Sequence, residues 1–190
     1  MNASSTLRRD AALNRARIAE VGRTYLSDGR PLQLNDIARD AGVGVATVYR
    51  HFPTPELLLE HLARPVMEEL EAAGRSALAS DDAWQSLEGF LRLGLQTQLG
   101  DPALAAVLAA PSHADARTVE LIASLNMLAM RLVARAKAAG LLADSLQGSD
   151  LFPLMCGVAY AARLGLTADP SDAGVVDRFL DALLTGVRVR

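Results

Sequence analysis

At 190 residues the chain is long enough for one small domain and one larger domain, each with its own buried core. Apolar residues make up 51% and aromatics only 4%, a mix dominated by Ala, Leu and Val that favours helix over β-sandwich. The net charge of −3 excludes a polycation, and the single cysteine, Cys156, excludes an internal disulfide and offers no metal-ligand spacing. No metal or cofactor is therefore expected, and Cys156 reads as a small buried apolar residue.

Charge is unevenly spread. Residues 1–55 hold eight arginines against five acids, a local balance of +3, so the remainder carries −6. A basic front on an acidic body fits a nucleic-acid-reading segment followed by one with other duties. Arg8 and Arg9 are followed by no apolar run, so no secretory signal is expected. The longest apolar stretch, Leu151 to Ala162, contains Pro153 and reads as too short to span a bilayer. No membrane partner is expected.

In chain order, a first helix should run from about Leu7–Asp10 to Ser27. Its apolar stripe is Ala12, Leu13, Ala16, Ile18, Ala19, Gly22, Tyr25 and Leu26, with Arg15 on the same face. Gly29 and Pro31 close it. A second helix is expected from Leu34 to Ala41, with Leu34, Ile37, Ala38 and Ala41 inward. A turn at Gly42–Gly44 leads to a third helix, Val45–His51. This is a helix-turn-helix pattern, in which the second helix of the pair lies in the DNA major groove.

A fourth helix should begin at Thr54–Pro55, capped by Thr54, with Pro65 kinking it near residues 60–63. Further amphipathic helices are expected at Ala83–Leu99, Pro102–Ala109, Ala114–Ala139, Asp150–Leu166 and Ser171–Val187, punctuated by proline and glycine. The expected fold is all-α with about nine helices. A three-helix DNA-binding domain would occupy residues 1–54, and a larger helical domain residues 55–190.

Arg50 is the chief candidate for base readout, since a guanidinium can bond bidentately to guanine O6 and N7. A phosphate contact or simple solvation is the alternative. The other DNA-facing candidates are Val45, Ala46, Thr47, Tyr49 and His51, with Gln33 and Asn35 toward the phosphates. Tyr49 could instead pack under the turn, and His51 could be purely structural. Arg8, Arg15 and Arg17 would add only nonspecific attraction.

Residues Arg15 to Leu62 resemble the DNA-binding domain of the TetR family of bacterial transcriptional regulators. The resemblance rests on Ile37-Ala38, Ala41-Gly42-Val43, Thr47-Val48-Tyr49-Arg50-His51-Phe52 and Glu56-Leu57-Leu58. Two departures stand out. Pro55 occupies a place where many members have a phosphate-contacting lysine, and Ala46 one where glycine is common. The fourth helix could then meet a phosphate only through its amides and dipole, with fewer counterions released.

The resemblance implies a cytoplasmic bacterial homodimer. It would act as a repressor on palindromic double-stranded operator DNA, its recognition helices about 34–36 Å apart. It also implies an unknown small-molecule effector held between the fifth and seventh helices. Candidate lining residues are Phe90, Gln96, His113, Asn126, Met127, Met130, Arg131, Met155 and Tyr160, with Phe152 and Arg92 nearby. For each of these, core packing is the competing explanation. Gly157, Ala161 and Gly165 on the eighth helix, with Val176, Phe179, Leu180, Leu183 and Val187 on the ninth, form the expected dimer surface. The alternative for those stripes is burial within one subunit. An enzyme is not expected, because no GxSxG, HExxH, phosphate loop or CxxC occurs. The remaining alternative keeps the fold but makes the larger domain ligand-blind or protein-binding.

Overall fold

A computed structural model of the chain describes residues 3–143, 145–169 and 174–188, with side chains from Arg9 onward. Among the described residues are nine α-helices. They are α1 (Ala3–Ser27), α2 (Leu34–Asp40), α3 (Val45–His51), α4 (Pro55–Ala79), α5 (Ala83–Gly100), α6 (Pro102–Ala109), α7 (Ala116–Ala138), α8 (Leu151–Ala168) and α9 (Val175–Val187). A short 3-10 turn, Gly148–Asp150, precedes α8. The expected start of the last helix at Ser171 lies outside the described residues.

The helix boundaries follow from local chemistry. Gly29, Gly42 and Gly140 adopt φ of +68°, +65° and +71°, the left-handed conformation that lets a chain leave a helix without strain. At Gly42 the Val43 amide turns back to donate to the Ala38 carbonyl at 3.0 Å, fixing the α2–α3 corner. Thr54 Oγ1 accepts the Leu57 amide at 3.4 Å, and Asp82 Oδ1 accepts the Gln85 amide at 2.8 Å. Pro65 sits inside α4, where it removes one backbone donor.

The chain divides into two compact units. Residues 1–64 and 102–118 form one, and residues 65–101 and 119–190 the other. In contacts, the dividing line thus falls within α4 between Arg64 and Pro65, while the sequence placed it at residue 54.

In the first unit Ile18, Ile37, Val48, Phe52 and Leu58 are essentially inaccessible. Gly22 permits the closest approach: a methyl group there would lie 3.1 Å from Leu62 Cδ1. The stripe on α1 is shorter than its periodicity suggests. Ala12 and Ala16 are exposed and Leu13 is 51% exposed, so burial begins only at Ile18. Helix α6 packs on α1 and buries Leu104 completely.

The second unit has its own core, built around Trp84, Leu87 and Leu95 of α5, Leu132 of α7, Ala159 of α8 and Leu180 of α9. At roughly 1.5–3 kcal/mol per buried large side chain, such a cluster is the main stabilising term of the unit. One salt-bridge network crosses it. Arg92 on α5 meets Glu88 at 3.1 Å, Asp181 at 2.9 Å and Asp177, tying α5 to α9. These carboxylates, led by Asp181, push the Arg92 pKa further up. Arg92, a possible ligand anchor by its sequence, is engaged by carboxylates of α5 and α9.

Candidate nucleic-acid interface

The helix-turn-helix is assembled from α2 and α3. Inward, Ile37, Ala38 and Val48 are fully buried and set the angle between the two helices. Outward, α3 presents Val45 at 47% and Tyr49 at 44% exposure, with Ala46 and Arg50 exposed and Thr47 and His51 half-buried. Apolar side chains left this open on a short helix are what a groove-reading surface requires, because thymine methyls offer apolar contacts. Gln33 and Asn35 at the start of α2 are likewise exposed, and no side chain caps the first turn of α2 or α3.

Arg50 has a specific support. Its Nη2 donates to Thr47 Oγ1, one turn back, at 3.3 Å. The guanidinium is thereby held along the exposed face of α3 while its remaining donors stay open. His51 contacts the Phe52 ring, with centroids 6.4 Å apart. Burial, then the charges of Arg15 and Arg50, hold its pKa below the ordinary value. A neutral imidazole at physiological pH can contact a phosphate by hydrogen bonding but adds no charge.

Behind α3, Phe52 anchors the interface. The Arg15 guanidinium lies 5.2 Å from its ring centroid, and the His61 ring packs against it, tilted, at 5.2 Å. Arg15 Nη2 also contacts His61 Nδ1 at 3.3 Å. Arg15 and Arg17, which the sequence offered as phosphate attractors, are both exposed, and the Arg8 side chain lies outside the described residues. Burial, followed by Arg15 and Arg64, lowers the His61 pKa to about 4. The neutral form is the one the fold accepts. The stability it contributes is complete above the unfolded value near 6.5 and is lost as pH falls toward 4. Thermal melts of His61→Phe should fall less over that window than those of the parent protein; parallel losses would show that another group carries the acid sensitivity.

Two polar arrangements hold the unit together that sequence reasoning missed. Tyr25 donates its hydroxyl to Asp40 Oδ2 at 2.6 Å, with the Arg30 guanidinium 3.6 Å above the ring. The Tyr25 bond, together with Arg39 and Arg30, keeps the Asp40 carboxyl below the usual carboxylate range against the opposing desolvation. The second is Glu60, only 3% exposed. Its two oxygens accept the Ala114 amide at 2.8 Å and the Asp115 amide at 2.9 Å. Beside it Arg64 pairs with Asp115 at 2.8 Å, and Asp115 accepts the Arg117 and Thr118 amides as the cap of α7. An acid and an arginine one turn apart on α4 were the only local signal.

The candidate ligand residues are divided between the two units. His113 belongs to the first unit and the others to the second. Met127 and Met130 on α7 and Tyr160 on α8 are 54%, 51% and 67% exposed, and Gln96 and Arg131 are exposed too. Phe90, Asn126, Phe152 and Met155 are half-buried, and Phe90 lines a groove of about 320 Å³. Cys156 is half-buried, and burial pushes its thiol pKa up. Among the described residues no cluster of three or more His, Cys, Asp or Glu could hold a metal.

The expected dimer residues divide between two environments. Leu180 is fully buried within the chain, and a methyl group on Gly165 would lie 2.5 Å from Val175 Cγ2, so this glycine serves the α8–α9 contact itself. Gly157 is exposed with nothing near it, Phe179 is 39% exposed, and Ala161, Val176, Leu183 and Val187 are half-buried. Gly165→Ala should lower the melting temperature by overpacking, on the order of 1–3 kcal/mol. Gly157→Ala should instead be neutral or favourable to folding. A reversed order in thermal melts would contradict this division. With the preceding turn, α8 spans 21 residues, Gly148–Ala168, longer than the apolar run read from sequence. By length and composition it could cross a membrane, which for one such helix is weak support.

An exposed, arginine-bearing second helix on a tightly cornered helix-turn-helix, carried by an all-helical chain, defines a DNA-binding transcription regulator. Residues 30–62 match the family model for bacterial regulatory proteins of the tetR family, and the chain is similar to regulators of that family. Solved structures agree over nearly the whole length. The TetR transcriptional regulator SCO0520 from Streptomyces coelicolor is 27% identical, covering 92% of this chain and 98% of that one, with a TM-score of 0.57. The TetR transcription regulatory protein from Mycobacterium vanbaalenii is 28% identical, covering 96% and 99%, with a TM-score of 0.55. FadR from Bacillus subtilis, solved with stearoyl-CoA, shares the fold at 17% identity, 90% and 98% coverage and a TM-score of 0.66. No curated protein sequence matches the chain.

Proposed function

We propose that the protein is a homodimeric cytoplasmic repressor that binds a palindromic operator and is released by a small, largely apolar effector. The observation that carries this reading is Arg50, exposed on α3 and steadied by Thr47. Arg50 reads a guanine. Thr47, Tyr49 and His51, with Gln33 and Asn35, position the helix on the phosphates, and Val45 and Ala46 meet base edges. Residues 1–54 are the reading domain, and residues 55–190 hold the effector and the partner copy. The exposed Gly157, Leu154, Tyr160, Leu164 and Phe179 of α8 and α9 support a dimer face, because a patch this apolar is costly to leave wet. The reading includes no catalysis.

An effector that favours a state with another recognition-helix spacing would release DNA through a coupling of about 1–3 kcal/mol. The ligand-bound FadR relative supports a binding role for the helical body. A second reading, in which that body binds a protein, draws on Val119, Met127 and Met130, all about half exposed along α7. Gel shift of the purified dimer on palindromes upstream of its own gene tests the first reading. A shift at nanomolar protein supports it; none at low salt, with the protein folded and dimeric, refutes it.

A further inference from the structure

The groove that Phe90 lines runs between the last two turns of α4 and the first half of α5, is about 320 Å³ in volume and opens to solvent. That is the space of about ten waters at roughly 30 Å³ each, enough for a single substituted ring. Its two ends differ. The short 80–82 connection makes α4 and α5 antiparallel, so Ala73 lies toward Phe90 and Leu93, while Ser80 lies toward Gln85 and Ser86. Phe90 is seated by Gly74, where a methyl group would come within 2.9 Å of its ring.

No charged side chain lines the groove. The Arg135 guanidinium donates to the Leu78 carbonyl at 2.9 Å and to Ser86 Oγ at 3.0 Å, and Ser86 donates to the Asp82 carbonyl. Ser86 is thus occupied, whereas Ser76, Ser80 and Gln85 are exposed and offer hydroxyl and amide groups.

We infer that this groove takes a small uncharged amphiphile, its ring against Phe90 and Leu93 and its hydroxyl or amide at Ser80 and Gln85. This rests on the repressor reading, of which it names the effector site and ligand class. Helix α4, whose second half forms one wall, begins directly after the reading helices, so an occupant bears on the helix that continues into the first unit.

The test is calorimetric titration of the full-length protein with 4-ethylphenol and, as its anionic counterpart, 4-ethylbenzoate. Gly89→Leu fills the groove from α5, where a methyl group would meet nothing within 4 Å, and it raises helix propensity. Ser76→Phe fills it from α4 and guards against one variant failing to fold. Binding of the phenol, at least roughly tenfold weaker for the benzoate and for either folded variant, is the expected result. Absence of phenol binding, equal binding of the benzoate, or undiminished binding in both folded variants overturns the inference. DNA binding is measured separately on the same samples. Phenol binding without any loss of operator affinity leaves the groove as a ligand site and removes only its effector role; failure to bind DNA at all removes the repressor reading alone.

Discussion

Replacing Arg50 with alanine is expected to weaken operator binding by about 1–3 kcal/mol, roughly fivefold to 150-fold, while nonspecific DNA affinity falls much less. The difference separates a base contact from a phosphate contact, because a phosphate contact costs similar amounts on every sequence. Arg50 is exposed and, among the described residues, its side chain is hydrogen-bonded to Thr47 alone, so its removal should leave the fold intact. Anisotropy titrations on specific and scrambled duplexes, with the salt slope recorded, provide the measurement. Equal losses on both duplexes would make Arg50 a phosphate ligand.

The largest stability effect should come from Glu60. Its alanine variant removes a charged acceptor from two backbone amides, which should cost about 3 kcal/mol at roughly 1.5 kcal/mol or more per bond. For a chain of this size that corresponds to a fall in melting temperature of about 10 °C. Glu60→Gln keeps one acceptor oxygen and should fall between the two. Because the bonds join α4 to the segment entering α7, hydrogen exchange at residues 114–118 should accelerate in Glu60→Ala more than exchange in α9. A melting temperature unchanged by Glu60→Ala would mean that the Arg64–Asp115 pair alone holds this segment.

Local features of the fold were legible in the sequence. Gly42 and Gly44 frame a turn whose geometry depends on nearest neighbours, so Val45–His51 was placed to the residue. Thr54 as the cap of α4 follows from the same kind of short-range chemistry. What escaped was long-range. Glu60 reads as an ordinary acid on an amphipathic helix until residues 114 and 115, more than fifty positions away, arrive beside it. Arg92 looked free for a ligand because its partners Asp177 and Asp181 lie on α9. Helix α6 reads as part of the larger domain, yet its contacts with α1 place it with the DNA-reading helices. Periodicity reports that a face is apolar, not which neighbour covers it. That is why the stripe at Gly157 to Gly165 contains both an open glycine and one pressed against Val175.

The account stands or falls on DNA recognition by α3. The most direct measurement is the affinity of the purified dimer for palindromic duplexes drawn from upstream of its own gene, compared with scrambled duplexes of equal length at one salt concentration. A specific site bound at least about a thousandfold more tightly than the scrambled duplex is the predicted result. Equal affinity for every sequence, from a folded and dimeric protein, would contradict it.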